Sequence, residues 1–298
     1  MGEYYRTFND EMAEMFSQKI YKLSLDGGMT CPNRDGTVGT GGCIFCSAGG
    51  SGDFSEKHCE NIDLQIERAK AQVAKKFKGD KYIAYFQSYT NTYADTEYLE
   101  SIFYPAINNP SVVALSIGTR PDCLGEDVLR LLERLNGIKP VYVELGLQTS
   151  NEQTARLINR GYTLDVFDKA VKDLKEISVK TVVHIILGLP DETEEDMASS
   201  VRYAVNSGAD GIKLQLLQVL KGTRLEEMYL NGEFQTFDFD AYVKTVCDMI
   251  SLVPKSVTIH RITGDPPKRL LVSPLWSADK KRVLNAINRE LKNRKENK

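Results

Sequence analysis

The sequence predicts an α/β protein in which helices cover a parallel sheet. Three observations carry this. Short apolar runs rich in β-branched and aromatic residues alternate with amphipathic stretches of helical period. The runs are apolar on both faces, as strands buried between layers are. Polar clusters also follow five of the runs directly, where parallel α/β folds bind ligands.

The expected strands are Tyr82–Phe86, Val112–Ile117, Val141–Leu147, Thr181–Leu187, Gly211–Leu217 and Val257–His260. A helical pattern over Leu64–Phe77 precedes the first. Glu97–Ile107, Gly125–Leu135, Leu164–Glu176 and Thr193–Asn206 then fall in successive gaps between strands, the β–α alternation that parallel pairing requires. Pattern alone leaves a closed barrel, an open barrel and a doubly wound sheet all open. The strand ends carry Gln87–Asn91, Gly118–Asp122, Gln148–Ser150, Gly188–Pro190 and His260–Arg261. Ordinary turn and cap chemistry accounts for any one of these, but five on one rim point to a site.

With 298 residues, 42% of them hydrophobic and 27% charged, the chain can bury a sizeable core. No run approaches the roughly 20 apolar residues of a membrane span. Met1–Arg6 lacks the start of a signal peptide, so no membrane association and a cytoplasmic location are expected. The net charge of −3 is unevenly spread: residues 266–298 hold ten Lys or Arg against three acids, so they carry +7 and the remainder −10. One domain over 1–265 followed by a basic helical extension over 266–298 is expected. Pro266–Pro274 would be the joint. The extension reads either as a solvated helix or as a phosphate-contacting patch.

Six cysteines in a chain of this size do not suggest a disulfide framework. Cys123 and Cys247 stand alone and read as incidental thiols. Cys31, Cys43 and Cys46 lie in one glycine-rich segment, Cys31-Pro-Asn-Arg-Asp-Gly-Thr-Val-Gly-Thr-Gly-Gly-Cys43-Ile-Phe-Cys46, which can fold back on itself. Three chemistries compete for it. A structural zinc would need a fourth ligand from His58 or Cys59. A redox pair would use Cys43 and Cys46 and leave Cys31 idle. A [4Fe–4S] cluster on three thiolates would keep one iron open for a ligand, and an open iron implies chemistry.

These residues resemble those of the radical S-adenosylmethionine superfamily. Phe45, just before the last cysteine, matches the aromatic that packs on the cofactor's adenine. Val143–Ser150 followed by Asn159-Arg160-Gly161-Tyr162-Thr163 looks like the strand-four signature of the coproporphyrinogen oxidase and Elongator catalytic-subunit branches. The resemblance implies that Gln148 contacts the ribose and Arg160 the methionyl carboxylate. Ile185–Thr193 is similar to the next strand's glycine–proline turn, which would put His184 near the ribose, a core histidine being the even alternative. From Tyr21 to about Arg261 the chain is similar to YtqA/YhcC-type proteins, sharing Cys-Pro-Asn-Arg-Asp-Gly at 31–36, Thr119–Asp122 and Gly222–Leu225.

The resemblance implies a partial (β/α)6 barrel with an N-terminal cluster loop and a C-terminal helical appendage. It also implies a [4Fe–4S] cluster on Cys31, Cys43 and Cys46, bound S-adenosylmethionine and a low-potential electron donor. Two features depart from the superfamily pattern. Eleven residues, not three, separate the first two cysteines, and Phe86-Gln87-Ser88-Tyr89 replaces a Gly-Gly-Glu stretch, which makes Gln87 and Ser88 the candidates for the cofactor's amino end. No catalytic residue is singled out, and nothing indicates the oligomeric state. The branch implies a transfer RNA partner gripped by the basic tail. The reaction expected is on the carbon-5 side chain of the wobble uridine, from carboxymethylaminomethyl toward aminomethyl. Tyr85, Tyr89 and Tyr93 are stacking candidates with packing the favoured role, and His260, Arg261 and Asp265 are rim candidates. A radical enzyme acting on a small metabolite or tetrapyrrole is the second reading, and a zinc-stabilised nucleic-acid-binding protein the third.

Overall fold

The computed structural model describes residues 4–50 and 52–296. Its frame is one seven-stranded parallel sheet: β1 (Tyr21–Leu25), β2 (Tyr82–Phe86), β3 (Val112–Thr119), β4 (Val141–Gln148), β5 (Lys180–Leu187), β6 (Gly211–Leu216) and β8 (Thr258–Arg261), in that order across the sheet. A short antiparallel pair, β7 (Val219–Leu220) with β9 (Leu271–Ser273), lies apart. The strand order never reverses, so the connections all wind one way and the sheet curls into an open barrel. A doubly wound sheet would show a reversal.

The helices α1 (Phe8–Phe16), α2 (Ile62–Val73), α3 (Thr96–Asn108), α4 (Glu126–Asn136), α5 (Glu152–Leu157), α6 (Leu164–Glu176), α7 (Glu194–Asn206), α8 (Arg224–Leu230), α9 (Phe239–Ser251) and α10 (Lys280–Glu296) complete the chain. The main core is the layer between sheet and helices. Val143, Leu145 and Leu147 of β4 meet Leu131, Leu135, Phe167 and Leu174 there. The sequence pattern marks β2 to its last residue but passes over β1, α1, α5, α8 and α9. In β1, Leu23 and Leu25 enter the core while Lys22 and Ser24 occupy the other face, so no continuous apolar run marks the strand.

The inner face of the sheet is layered. At the base, Ile83, Ala114, Tyr142 and Val182 form their own buried cluster with Met12 of α1 and Ile20. α1 therefore plugs the bottom of the barrel. Thr7 caps it with a reciprocal capping box, and the segment before it bridges to the β8 edge, where Ile259 N donates to Arg6 O at 2.9 Å. α10 packs along α9, and its Val283, Ile287 and Leu291 are buried in the main core. Among the described residues no helix is long and apolar enough to cross a membrane.

Candidate active site

At the carboxyl ends of the strands a cavity of about 250 Å³ opens, walled on one side by the cysteine loop. Three thiols, Cys31, Cys43 and Cys46, line it, and none is in a disulfide. The loop is held from both flanks. On one, Ile44 N donates to Ile158 O at 3.1 Å, Asn159 Nδ2 to Gly42 O at 2.8 Å, and Asn33 Nδ2 to Asn159 O at 2.6 Å. On the other, Leu225 N donates to Ile44 O at 3.0 Å, and Leu225 and Ile44 share a buried cluster that Phe45 packs against. The Asn159–Tyr162 and Gly222–Leu225 motifs are thus the two clamps of the Cys43–Cys46 turn. Gly161 shows how closely they fit: its φ is +81°, and a Cβ there would lie 3.0 Å from Asn33 Oδ1.

Arginines complete this wall, each hydrogen-bonded to acceptors in the protein. Arg34 donates from Nη2 to Cys46 O at 3.0 Å and Ser47 O at 2.6 Å. Arg120 forms a two-pronged pair with Asp122 at 2.9 and 2.7 Å and also donates to Arg160 O. Arg160, buried to 1% exposure, donates four N–H groups to Tyr162 O, Leu147 O, Thr149 O and Glu152. The ring of Tyr162 lies between the two guanidiniums at 4.9 and 4.8 Å.

Beneath the rim the lumen holds a charged network that sequence reasoning missed. Glu144, fully buried, accepts from Lys22 at 2.7 Å, Ser116 at 2.7 Å, Tyr85 at 2.8 Å and His184 Nε2 at 2.7 Å, and it is paired with Lys213. Burial alone would raise its carboxyl, but Lys213 and Lys22 hold it well below the usual range. His184 Nδ1 accepts from Gln215 Nε2 at 3.1 Å, which leaves the proton on Nε2 facing Glu144. Burial and the Lys213 charge push His184 down to about 4. The signal lies in β6, Gly-Ile-Lys-Leu-Gln-Leu, whose Lys213 and Gln215 break an apolar run at period two.

The depressed His184 gives the fold a pH dependence. Because the folded pKa of His184 is about 4 against 6.5 unfolded, the native state binds fewer protons between those values. Stability therefore falls as pH drops through that window, by about 1.4 kcal/mol for each pH unit crossed. His260, buried beside Glu11 at the barrel base and also pushed down to about 4 by burial, adds a loss of the same sign. Denaturation midpoints measured from pH 7 to 4 are expected to decline, and less steeply in His184→Gln.

Of the residues singled out from sequence, Cys31, Cys43, Phe45, Cys46, Gln87, Gln148, Arg160 and His184 all line this cavity. Gln148 sits at a bulge between β4 and β5 with φ +64°, an uncommon backbone for a side-chain-bearing residue, and its Oε1 is buried without a partner. Ser88 is not part of the lining; its Oγ is buried without a partner, and a Cβ on Gly52 would collide with it. Tyr85 belongs to the Glu144 network, Tyr89 packs on Gly50 and donates to Ala48 O at 2.5 Å, and Tyr93 bonds Thr37. Tyr85 and Tyr89 also line the cavity, whereas Tyr93 lies outside it. Asp265 pairs with Lys280, whereas Arg261 enters the cavity.

The donor set suits a cluster better than a zinc ion. Cys59 donates to Asn61 O at 3.1 Å and His58 lies against Gly28, both away from the cavity lining. Three thiols on one wall, facing a cavity with an orphaned acceptor at Gln148, fit a larger group that is held on one side and exposed to a ligand on the other.

The profile of the Radical SAM superfamily matches residues 35–204, and that of the Radical_SAM C-terminal domain matches 209–293. YtqA of Bacillus subtilis (strain 168) is 44% identical over 290 residues, which is 97% of this chain and 90% of that protein. The tRNA uridine(34) acetyltransferase of Methanocaldococcus jannaschii is 30% identical over 163 residues, 54% of this chain but only 30% of its own length. Among solved structures, the archaeal Methanocaldococcus infernus Elp3 superposes with a TM-score of 0.68 at 20% identity, covering 91% of this chain and 63% of Elp3. Streptococcus suis SuiB bound to S-adenosylmethionine superposes with a TM-score of 0.52 at 14% identity, covering 87% of this chain and 54% of SuiB.

Proposed function

The chain belongs to the radical SAM superfamily, and we propose that it modifies the carbon-5 side chain of the wobble uridine of transfer RNA, taking carboxymethylaminomethyl toward aminomethyl. One observation carries the radical chemistry: Cys31, Cys43 and Cys46 converge with the orphaned Gln148 on one cavity at the carboxyl mouth of an open parallel barrel. The three thiolates hold a [4Fe–4S] cluster, and the cavity takes S-adenosylmethionine. A reduced cluster held there would supply the one electron that splits S-adenosylmethionine into methionine and a 5′-deoxyadenosyl radical.

The side chains divide the rest. Phe45 packs on the adenine, Gln148 receives a ribose hydroxyl on Oε1, and Gln87 faces the amino end with Ser88 behind it. Arg160 offers its remaining N–H to the carboxylate while fixing Tyr162, and His184 with Gln215 forms the floor under the ribose. A low-potential donor and a cytoplasmic setting follow from the cluster and the substrate.

The transfer RNA reading rests on the relative named for uridine 34, which shares 163 residues with this chain. Incubating reconstituted protein with transfer RNA bearing carboxymethylaminomethyluridine, S-adenosylmethionine and a reductant tests it. Nucleoside mass spectrometry is expected to show conversion at the wobble position. Cleavage of S-adenosylmethionine with every nucleoside unchanged would instead select the small-metabolite alternative.

Lys281, Arg282, Arg289, Lys292 and Lys295 are exposed on α10 and give the backbone of transfer RNA its grip. Truncating the helix would remove three core residues, so charge reversal is the cleaner probe. Lys281→Glu with Arg289→Glu and Lys292→Glu is expected to weaken binding about tenfold or more at low salt and to flatten the salt dependence by about 0.9 per lost phosphate contact. Filter binding across a salt series checks it, and an unchanged slope removes α10 from the interface.

A further inference from the structure

The cavity is lopsided in charge. Arg34, Arg120, Arg160, Lys213 and Arg261 line it, and its one lining carboxylate, Glu144, is already saturated by Lys22, Lys213, Tyr85, Ser116 and His184. Of the five cations, the first four are answered by acceptors in the protein. Arg261 is half-buried, and among the described residues it makes no hydrogen bond or ion pair.

Its position is built into the sheet. Along a regular β8, Ile259 and Arg261 would both face the helices and only His260 the lumen. A bulge breaks that alternation: Ile212 pairs with Ile259, but the next residue, Lys213, pairs with Arg261. His260 thereby drops to the barrel base against Glu11 and Phe8, and Arg261 turns inward beside Lys213. Bulges next to active sites re-aim side chains in this way. Arg261 lies close enough to Tyr85, His184 and Lys213 for its charge to act on all three.

We propose that Arg261, backed by Lys213, seats an anionic oxygen group of the substrate in the cavity. The choice of ligand rests on the wobble-uridine reading, in which that anion is the carboxylate of the carboxymethylaminomethyl group. A phosphate of the bound nucleotide has the same chemistry and is the other source. An unpartnered guanidinium next to a buried lysine, recessed in a cavity, holds a carboxylate better than it would at the open surface.

The test compares wild type, Arg261→Gln and Arg261→Lys, each with its cluster reconstituted, for binding to two transfer RNAs that differ only in carrying carboxymethylaminomethyl or aminomethyl at the wobble uridine. Arg261→Gln is expected to lose about tenfold in affinity for the first and nothing for the second, with Arg261→Lys recovering part of the loss. An equal loss on both RNAs, again recovered by lysine, makes the anion a phosphate and keeps the seat. No loss, or a loss that lysine does not recover, overturns the proposal.

If wild type binds neither RNA, the wobble-uridine reading falls, and the seat is judged by phenylglyoxal labelling of the reconstituted protein. Labelling at Arg261 suppressed by N-methylglycine or inorganic phosphate upholds it; labelling indifferent to both overturns it. The S-adenosylmethionine-dependent change in the cluster's paramagnetic spectrum is expected to be the same in all three proteins, which separates a lost anion seat from a damaged cofactor site.

Discussion

Replacing Cys31, Cys43 and Cys46 with alanine is expected to remove the cluster spectrum completely and to cut 5′-deoxyadenosine formation by at least about a thousandfold, since the chemistry has no other route and enzymes typically exceed the uncatalysed rate by about a millionfold or more. Cys59→Ala, by contrast, should behave as wild type, because its thiol is bonded to Asn61 O outside the cavity. Anaerobic reconstitution followed by electron paramagnetic resonance with and without S-adenosylmethionine checks both. The cysteine loop is also held by contacts that none of the three thiols makes, namely Ile44 to Ile158, Leu225 to Ile44 and Arg34 to Ser47. The triple variant should therefore fold, and its thermal midpoint in the absence of iron should match that of the cluster-free wild type. Stoichiometric zinc in the wild type, lost equally in the Cys59 variant, would sink the cluster reading.

How much of this is legible in sequence depends on which face of a strand carries the signal. Residues that point at the helices announce themselves: Val143, Leu145 and Leu147 are all buried in the main core, and the apolar run that contains them marks β4 to within one residue of its end. Residues that point into the lumen do not, because a barrel's interior is filled by a few side chains from strands far apart in the chain. Lys22, Glu144 and Lys213 meet there across separations of 122 and 69 residues, and each alone reads as a stray charge.

The clamps on the cysteine loop show the opposite case. Asn159–Tyr162 and Gly222–Leu225 are visible as motifs, yet nothing local says that they grip one turn from two sides. Arg261 is visible on the rim, but strand alternation assigns it no direction toward the cavity; the bulge that turns it inward is a property of the pairing between β6 and β8. The basic tail is legible as charge only. Its apolar stripe, Val283, Ile287 and Leu291, recurs at i, i+4 and i+8 and makes α10 part of the core as well as a charged surface.

Glu144→Gln should be the most destabilising single change in the lumen. The carboxylate is fully buried and answers two ammonium groups, of which Lys213 is only 4% exposed and Lys22 18%. An amide in its place leaves both cations without an anion and turns one of the two acceptor oxygens into a donor that faces other donors, so a cost of about 3–5 kcal/mol is expected in denaturant titrations. The sign of the pH effect follows from the same charges. Because the folded carboxyl is held well below 4.5, its stabilisation is present above the unfolded value near 4.3 and is lost only as the pH falls through the folded one. Glu144→Gln should then flatten the acid limb of the stability curve. Pairing it with Lys213→Met separates charge balance from packing. If the lumen is held by mutual compensation, the double variant should be more stable than Glu144→Gln alone, because one unanswered ammonium has gone; if the two costs simply add, the network is a set of independent contacts.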